Sequence, residues 1–101
     1  MYCRTFIVTA TSPVQLEMWY NNIKHVASER IFERGALQII TTRTSENKCM
    51  MSIIWPDKKK ADSNAKEFSE RLKQLKEFLK VEISEGEILF NLSNPFPEPK
   101  N

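Results

Sequence analysis

"RTSENKCMMSIIWPD", Arg43–Asp57, holds the turn and the strand on which the fold of this 101-residue chain rests. The "SENK" segment is rich in turn formers, with Asn47 suited to a positive φ, and it joins two β-prone runs, "ALQIITTRT" and "KCMMSIIW". A three-residue loop over Ser45–Asn47 sets Thr44 opposite Lys48. In that register Leu37, Ile39, Thr41 and Arg43 share one face with Cys49, Met51, Ile53 and Trp55. Gln38, Ile40, Thr42 and Thr44 share the other with Met50, Ser52 and Ile54. Both faces carry large apolar groups, and a single domain of this length has too little chain left to cover both.

Upstream, "RTFIVTAT", Arg4–Thr11, alternates Phe6 and Val8 against Thr5, Ile7 and Thr9 and predicts a first strand. Ser12, Pro13 and Gln15 form a helix start, with a capping side chain, a proline at the first helical position and capping-box spacing. Leu16, Trp19, Tyr20, Ile23, Val26 and Ala27 follow at steps of three and four and predict one apolar stripe. His25 lies about 200° round from Ile23 at the helical period, facing away from that stripe. Gly35 in "ERGA" supplies a left-handed stop.

Downstream, a second helix is expected from Ala61 or Asp62, with Lys58–Lys60 in the loop before it because cations oppose a helix N-terminus. Its core stripe is Ala61, Ala65, Phe68, Leu72, Leu75 and Leu79, while Glu67 with Arg71 and Lys73 with Glu77 read as a solvated face. "GEILFNL" is the expected last strand, with Ile88 and Phe90 alternating against Glu87, Leu89 and Asn91. "SNPFPEPKN" reads as an extended proline-rich tail, so the reading is one domain over 1–93 and a tail over 94–101.

Strand, helix, strand, strand, helix, strand is the split βαβ order: an α+β, ferredoxin-like βαββαβ fold with both helices on one face of a four-stranded antiparallel sheet. The expected covered face holds Phe6, Val8, Leu37, Ile39, Met51, Ile53, Trp55, Ile88 and Phe90, packed on Ile23, Leu72 and Leu75. The bare face holds Thr5, Ile7, Thr9, Ile40, Thr42, Met50, Ser52, Ile54, Leu89 and Asn91. A face so poor in charge suits a pocket or a sheet-to-sheet contact with a second copy.

Composition excludes several classes of function. Only two glycines are present, Gly35 and Gly86, so no glycine-rich phosphate loop exists. The net charge of +2 arises from interleaved signs and exerts no general pull on nucleic acid. No apolar run is long enough to span a membrane, and no signal-peptide pattern opens the chain, which reads as cytoplasmic. Cys3 and Cys49 form no CxxC pair and have no histidine cluster beside them, so they read as free thiols in a reducing compartment, and no metal is expected. An RNA-recognition module has the same strand order but stacks bases on sheet aromatics, where this chain offers Met50, Ser52 and Ile54.

The element order, the turn into "GALQIITTRT" and above all "IIWPDKKKAD", leading from a strand through Trp55 and Pro56 into an alanine-containing helix, resemble the dimeric α/β-barrel superfamily that includes the antibiotic biosynthesis monooxygenases. The resemblance spans Arg4 to about Leu92. It implies a homodimer with sheets face to face, a C-terminal segment that reaches the partner, and a cavity between each sheet and its helices. It also implies oxygenation without metal or flavin, haem degradation or isomerisation, and some members have no known activity. Haem chemistry in that family looks for a His, Asn and Trp set, whereas the single histidine here faces outward.

Two readings follow. One is an enzyme without cofactor acting on a small aromatic or polyketide-like molecule, with Trp19, Tyr20, Arg43, Trp55 and Asn91 as pocket residues. The other is a non-catalytic ligand-binding or structural homodimer, since no nucleophile-base pair or paired carboxylates stand out and fold alone does not assign chemistry.

Overall fold

The computed structural model describes residues 1–96. Its four strands are β1 (Tyr2–Ala10), β2 (Gln38–Ser45), β3 (Lys48–Trp55) and β4 (Leu79–Glu87). They form one antiparallel sheet in the order β2-β3-β1-β4, with helices packed on one face, the ferredoxin-like arrangement. Alternation along β1 places Tyr2, Arg4, Phe6, Val8 and Ala10 under the helices, and Cys49, Met51, Ile53 and Trp55 of β3 lie beside them.

The first helical segment runs without a break through α1 (Pro13–Asn22), a π turn (Ile23–Ala27) and α2 (Ser28–Glu33). Ser12 caps it, its hydroxyl accepting from the Gln15 N–H at 3.2 Å, and Pro13 occupies the first turn. In the π turn the Ser28 N–H donates to the Ile23 carbonyl, five residues back. The extra residue breaks the expected stripe: Val26 turns out to solvent, 57% exposed, while Ile23, Ala27 and Ile31 stay buried. His25 is exposed. Gly35, at φ 106°, ends α2 as its N–H donates to Phe32 and that of Ala36 to Ile31, the paired bonds of a Schellman stop.

The hairpin keeps the expected register from Gln38 opposite Ile54 to Arg43 opposite Cys49. Its turn differs. Ser45 pairs with Lys48, a bulge falls between Arg43 and Ser45, and Asn47 has no positive φ. Instead the Asn47 side chain donates to the Ala10 carbonyl at 3.1 Å, tying the turn to the end of β1.

The third helix, α3 (Lys58–Gln74), starts earlier than expected because Asp57 caps it, accepting from the Lys60 N–H at 2.8 Å. Lys58–Lys60 therefore lie in its first turn, where Lys58 pairs with Asp62 at 2.7 Å and offsets its repulsion from the helix end. Glu67 is not confined to a solvated face; it pairs with Arg30 and Arg34 across the helices.

The end of the chain corrects the reading most. The helix stops at Gln74, and Leu79 opens β4, which is "LKVEISEGE", not "GEILFNL". At about 1.5 Å per residue α3 already spans most of the length of the nine-residue β1, so a helix continued to Leu79 would overshoot the sheet. All nine residues of β4 pair with β1, from Leu79 opposite Ala10 to Glu87 opposite Tyr2. Ile88 makes one more bond, its N–H donating to the Met1 carbonyl. Leu89, Phe90 and Leu92 then stand out, 90%, 76% and 84% exposed, so Ile88 and Phe90 do not join the core, nor Leu89 and Asn91 the sheet. Leu37 and Leu75 are also more exposed than expected. Of the expected tail, residues 97–101 lie outside the described residues.

Candidate functional site

The helix layer covers β1 and β3 but leaves the helix-side face of edge strand β2 open, and a cleft of about 460 Å³ lies between them. Tyr20, Lys24, Ser28 and Phe32 form its helical wall. In an uninterrupted α-helix each step of four residues overshoots a full turn by about 40°, so this row would wind away from any fixed surface. The π turn takes up roughly one residue, and the row stays on one side. The opposite wall is Ile39, Thr41 and Arg43, alternate residues of β2, with Cys49 of β3 paired to Arg43.

The apolar surface comes from Ile23, Phe32, Ile39 and Cys49, and the polar groups are the Tyr20 phenol, the hydroxyls of Ser28 and Thr41, and the cations of Lys24 and Arg43. Ser28 donates its hydroxyl to the Lys24 carbonyl at 2.8 Å and keeps its oxygen free to accept. Arg43 is held at the mouth: its Nε donates to the Ser45 carbonyl at 3.3 Å, one Nη to that of Glu46, and the other approaches Glu17 at 3.4 Å. Burial pushes the Cys49 thiol up, more than the nearby Arg43 charge pulls it down, so it behaves as a small apolar wall and not as a thiolate nucleophile. Among the described residues, no carboxylate and no histidine lines the cleft.

Of the five pocket candidates, Tyr20 and Arg43 meet in this cleft. Trp19 is buried and faces a separate groove with Met18, Leu75 and Phe78, and Trp55 is buried beneath α3. Asn91 lies past β4, exposed. Ser28 and Phe32 were missed because an α period winds them about 80° and 120° round from Tyr20, and Lys24, one turn from Tyr20, carried no other signal; only the spacing of four residues hints at a shared wall.

A smaller hollow of about 250 Å³ lies between α3 and β1, β3 and β4, next to Trp55 and Phe68. Its polar side is closed by a network on the buried Arg4, which faces Glu85 in register. Arg4 donates to both Glu85 oxygens at 2.9 Å, to the Ala61 carbonyl at 2.9 Å and to Asp62 at 2.9 Å. Tyr2 adds its hydroxyl to Glu85 at 2.5 Å. These bonds raise the Arg4 pKa further and lower that of Glu85; Asp62 is lowered by Lys58 first and Arg4 second, while Glu85 raises that of Tyr2. Each nitrogen of the guanidinium has an acceptor, so the network locks α3 to β4.

On the sheet face opposite the helices, Thr5, Ile7 and Thr9 pair with Ser52, Met50 and Lys48, and Ile40 and Thr42 lie opposite Ser52 and Met50. Ile54 joins them across from Cys3. Leu89 does not; Lys80, Glu82 and Ser84 of β4 take that edge. The bare face is thus apolar toward β2 and β3 and charged along β4. Among the described residues, no cluster of metal-ligating side chains occurs and no helix is long and apolar enough to cross a membrane.

Neither a family model nor a curated protein matches the chain. In fold it belongs with the ferredoxin-like α+β proteins. Among solved structures it is similar to a dimeric ferredoxin-like protein from an uncultured marine organism, with TM-score 0.71, 19% identity, and coverage of 92% of this chain and 98% of that one. SnoaB, a cofactor-independent oxygenase from Streptomyces nogalater, superposes with TM-score 0.63 at 15% identity over 96% of this chain and 97% of its own. A monooxygenase from the gene ActVA-Orf6 of Streptomyces coelicolor, in complex with the ligand Nanaomycin D, gives TM-score 0.62 and 14% identity over 91% and 92%. These are the dimeric ferredoxin-like and antibiotic biosynthesis monooxygenase-like folds that the sequence resembles.

Proposed function

We propose that the protein is a homodimeric, cofactor-independent, monooxygenase-like enzyme acting on a small aromatic or polyketide-like molecule bound in the cleft of Tyr20, Lys24 and Arg43. The observation that carries this is the cleft's makeup: apolar and aromatic walls of drug-sized volume with a few convergent polar groups. Similarity in fold to two oxygenases supports the reaction class. In such a reaction an activated methylene loses a proton to give a delocalised carbanion. Dioxygen adds to that carbon, the O–O bond breaks, one oxygen stays as a carbonyl and the other leaves as water with the two hydrogens. Lys24 and Arg43 would stabilise the anion, and the apolar walls would hold the ring system.

The bare sheet face and the exposed Leu89, Phe90, Leu92 and Phe96 support a face-to-face homodimer. We place the protein in the cytoplasm, where free Cys3 and Cys49 stay reduced. A second reading, ligand binding without turnover, is favoured by the lack, among the described residues, of any carboxylate or histidine in the cleft to serve as a general base.

Oxygen uptake by the purified protein over a panel of anthrones, with incorporation of labelled dioxygen oxygen into the product, separates the two. Enzyme-dependent uptake with formation of a quinone supports the oxygenase. Saturable binding with no uptake leaves the binding protein. A sedimentation mass of twice the 11.8 kDa protomer at micromolar concentration is expected, and a single protomer refutes the dimer.

A further inference from the structure

We infer that the cleft selects its ligand by charge, taking an aromatic molecule in its anionic form, with Lys24 as the selecting residue. The inference rests on the reading of this cleft as the ligand site. Among the described residues, two cations line it and no carboxylate does. They are not equivalent. Arg43 is held by two backbone carbonyls and shares its charge with Glu17 at 3.4 Å. Lys24 has no ion-pair partner among the described residues.

Helical spacing sets Lys24 one turn from Tyr20, and the π turn keeps Ser28 on the same wall. This puts Lys24 between Tyr20 and Ser28 along the wall, so the ammonium, the phenol and the hydroxyl oxygen line one side of the bound molecule, with Arg43 and Thr41 opposite. A ring seated on Ile23, Ile39 and Phe32 therefore presents its edge to the cationic donors Lys24 and Arg43 and to the Tyr20 phenol, with the Ser28 oxygen able only to accept. Such an edge is best satisfied by a carboxylate, phenolate or enolate oxygen, which accepts charge-assisted bonds that a neutral group cannot match. Glu17, outside the lining but next to Arg43, competes with the ligand for that cation.

The test uses anthracene carboxylate and its uncharged carboxamide as matched probes, with binding followed by ligand fluorescence and by protein NMR resonances of Tyr20 and Thr41. The carboxylate is expected to bind about tenfold more tightly, an advantage that shrinks with added salt. Lys24→Gln, at an exposed position where folding is not at stake, should remove most of that advantage, weakening the carboxylate far more than the carboxamide. Glu17→Gln should strengthen carboxylate binding about two- to fivefold by releasing Arg43, an effect that a structural role for Glu17 would not produce. Equal affinity for the two probes, or an unchanged ratio in Lys24→Gln, overturns charge selection while leaving the cleft as the ligand site. If neither probe shifts the Tyr20 and Thr41 resonances, the reading of the cleft falls as well.

Discussion

Replacing Arg4 and replacing its partner Glu85 should have unequal costs, because only one of the two is cut off from water. The Arg4 side chain is 9% exposed, against 34% for Glu85 and 47% for Asp62. Two of the four hydrogen bonds on the guanidinium go to Glu85. Glu85→Gln removes the charge and leaves one amide oxygen to serve both Arg4 and Tyr2, with the guanidinium still buried. A hydrogen bond to a charged group contributes about 1.5–3 kcal/mol, and partial hydration of the carboxylate reduces this, so Glu85→Gln should lose roughly 1–2 kcal/mol. Arg4→Met removes the buried charge, fills a similar volume and leaves carboxylates that water can reach, so its cost should stay below about 1 kcal/mol. Urea unfolding at neutral pH, with unchanged denaturant slope, measures both. The pH dependence adds a second readout. Hydrogen bonds from Arg4, then Tyr2, hold the Glu85 carboxyl below the ordinary glutamate value. A depressed folded pKa stabilises fully above the unfolded value, and that contribution is lost as pH falls through the folded one. The gap between wild type and Glu85→Gln should therefore be full at neutral pH and close in strong acid. A larger loss in Arg4→Met than in Glu85→Gln, or a gap that ignores pH, would refute the reasoning.

Leu16→Ala, at a fully buried position, should cost about 2–5 kcal/mol in the same unfolding assay, since the rigid sheet beneath cannot collapse into the space. Deleting Val26, an exposed residue of the π turn, should leave the fold intact within about 1 kcal/mol, because it returns Ile23, Ala27 and Ile31 to ordinary three- and four-residue spacing. Deleting Asn21, which would turn the buried Ile23, Ala27 and Ile31 off the core, should unfold the protein; similar melting temperatures for the two deletions would count against the assigned turn. Met50→Glu, 40% exposed on the bare sheet face, should abolish the proposed dimer in sedimentation while the circular dichroism of the folded protomer is kept.

Much of the fold can be read from local pattern. The Ser12 cap, the alternation around Phe6 and Val8, and the Arg43 to Cys49 register depend on neighbours two to four residues apart or on a short hairpin, and all three are present. The last strand was not legible for the converse reason. "LKVEISEGE" looks solvated because its charges include Glu85, whose partner Arg4 is 81 residues away, whereas "GEILFNL" looks like a strand on apolar content alone. The cleft was half legible: Tyr20 and Arg43 were marked by side-chain type, while Ser28 and Phe32 needed the π turn to bring them into line with Tyr20 and Lys24.

The sequence by itself determined the order of elements, the face each central strand turns to the helices, and the helix starts at Ser12 and Gly35's stop, because caps, turns and side-chain periods act within a few residues. Tertiary structure decided where α3 ends, which nine residues complete the sheet, and which side chains share a cleft. Those outcomes depend on matching a helix to the length of a sheet and on pairing a buried charge across the whole chain, and neither length nor partner is written in any local window.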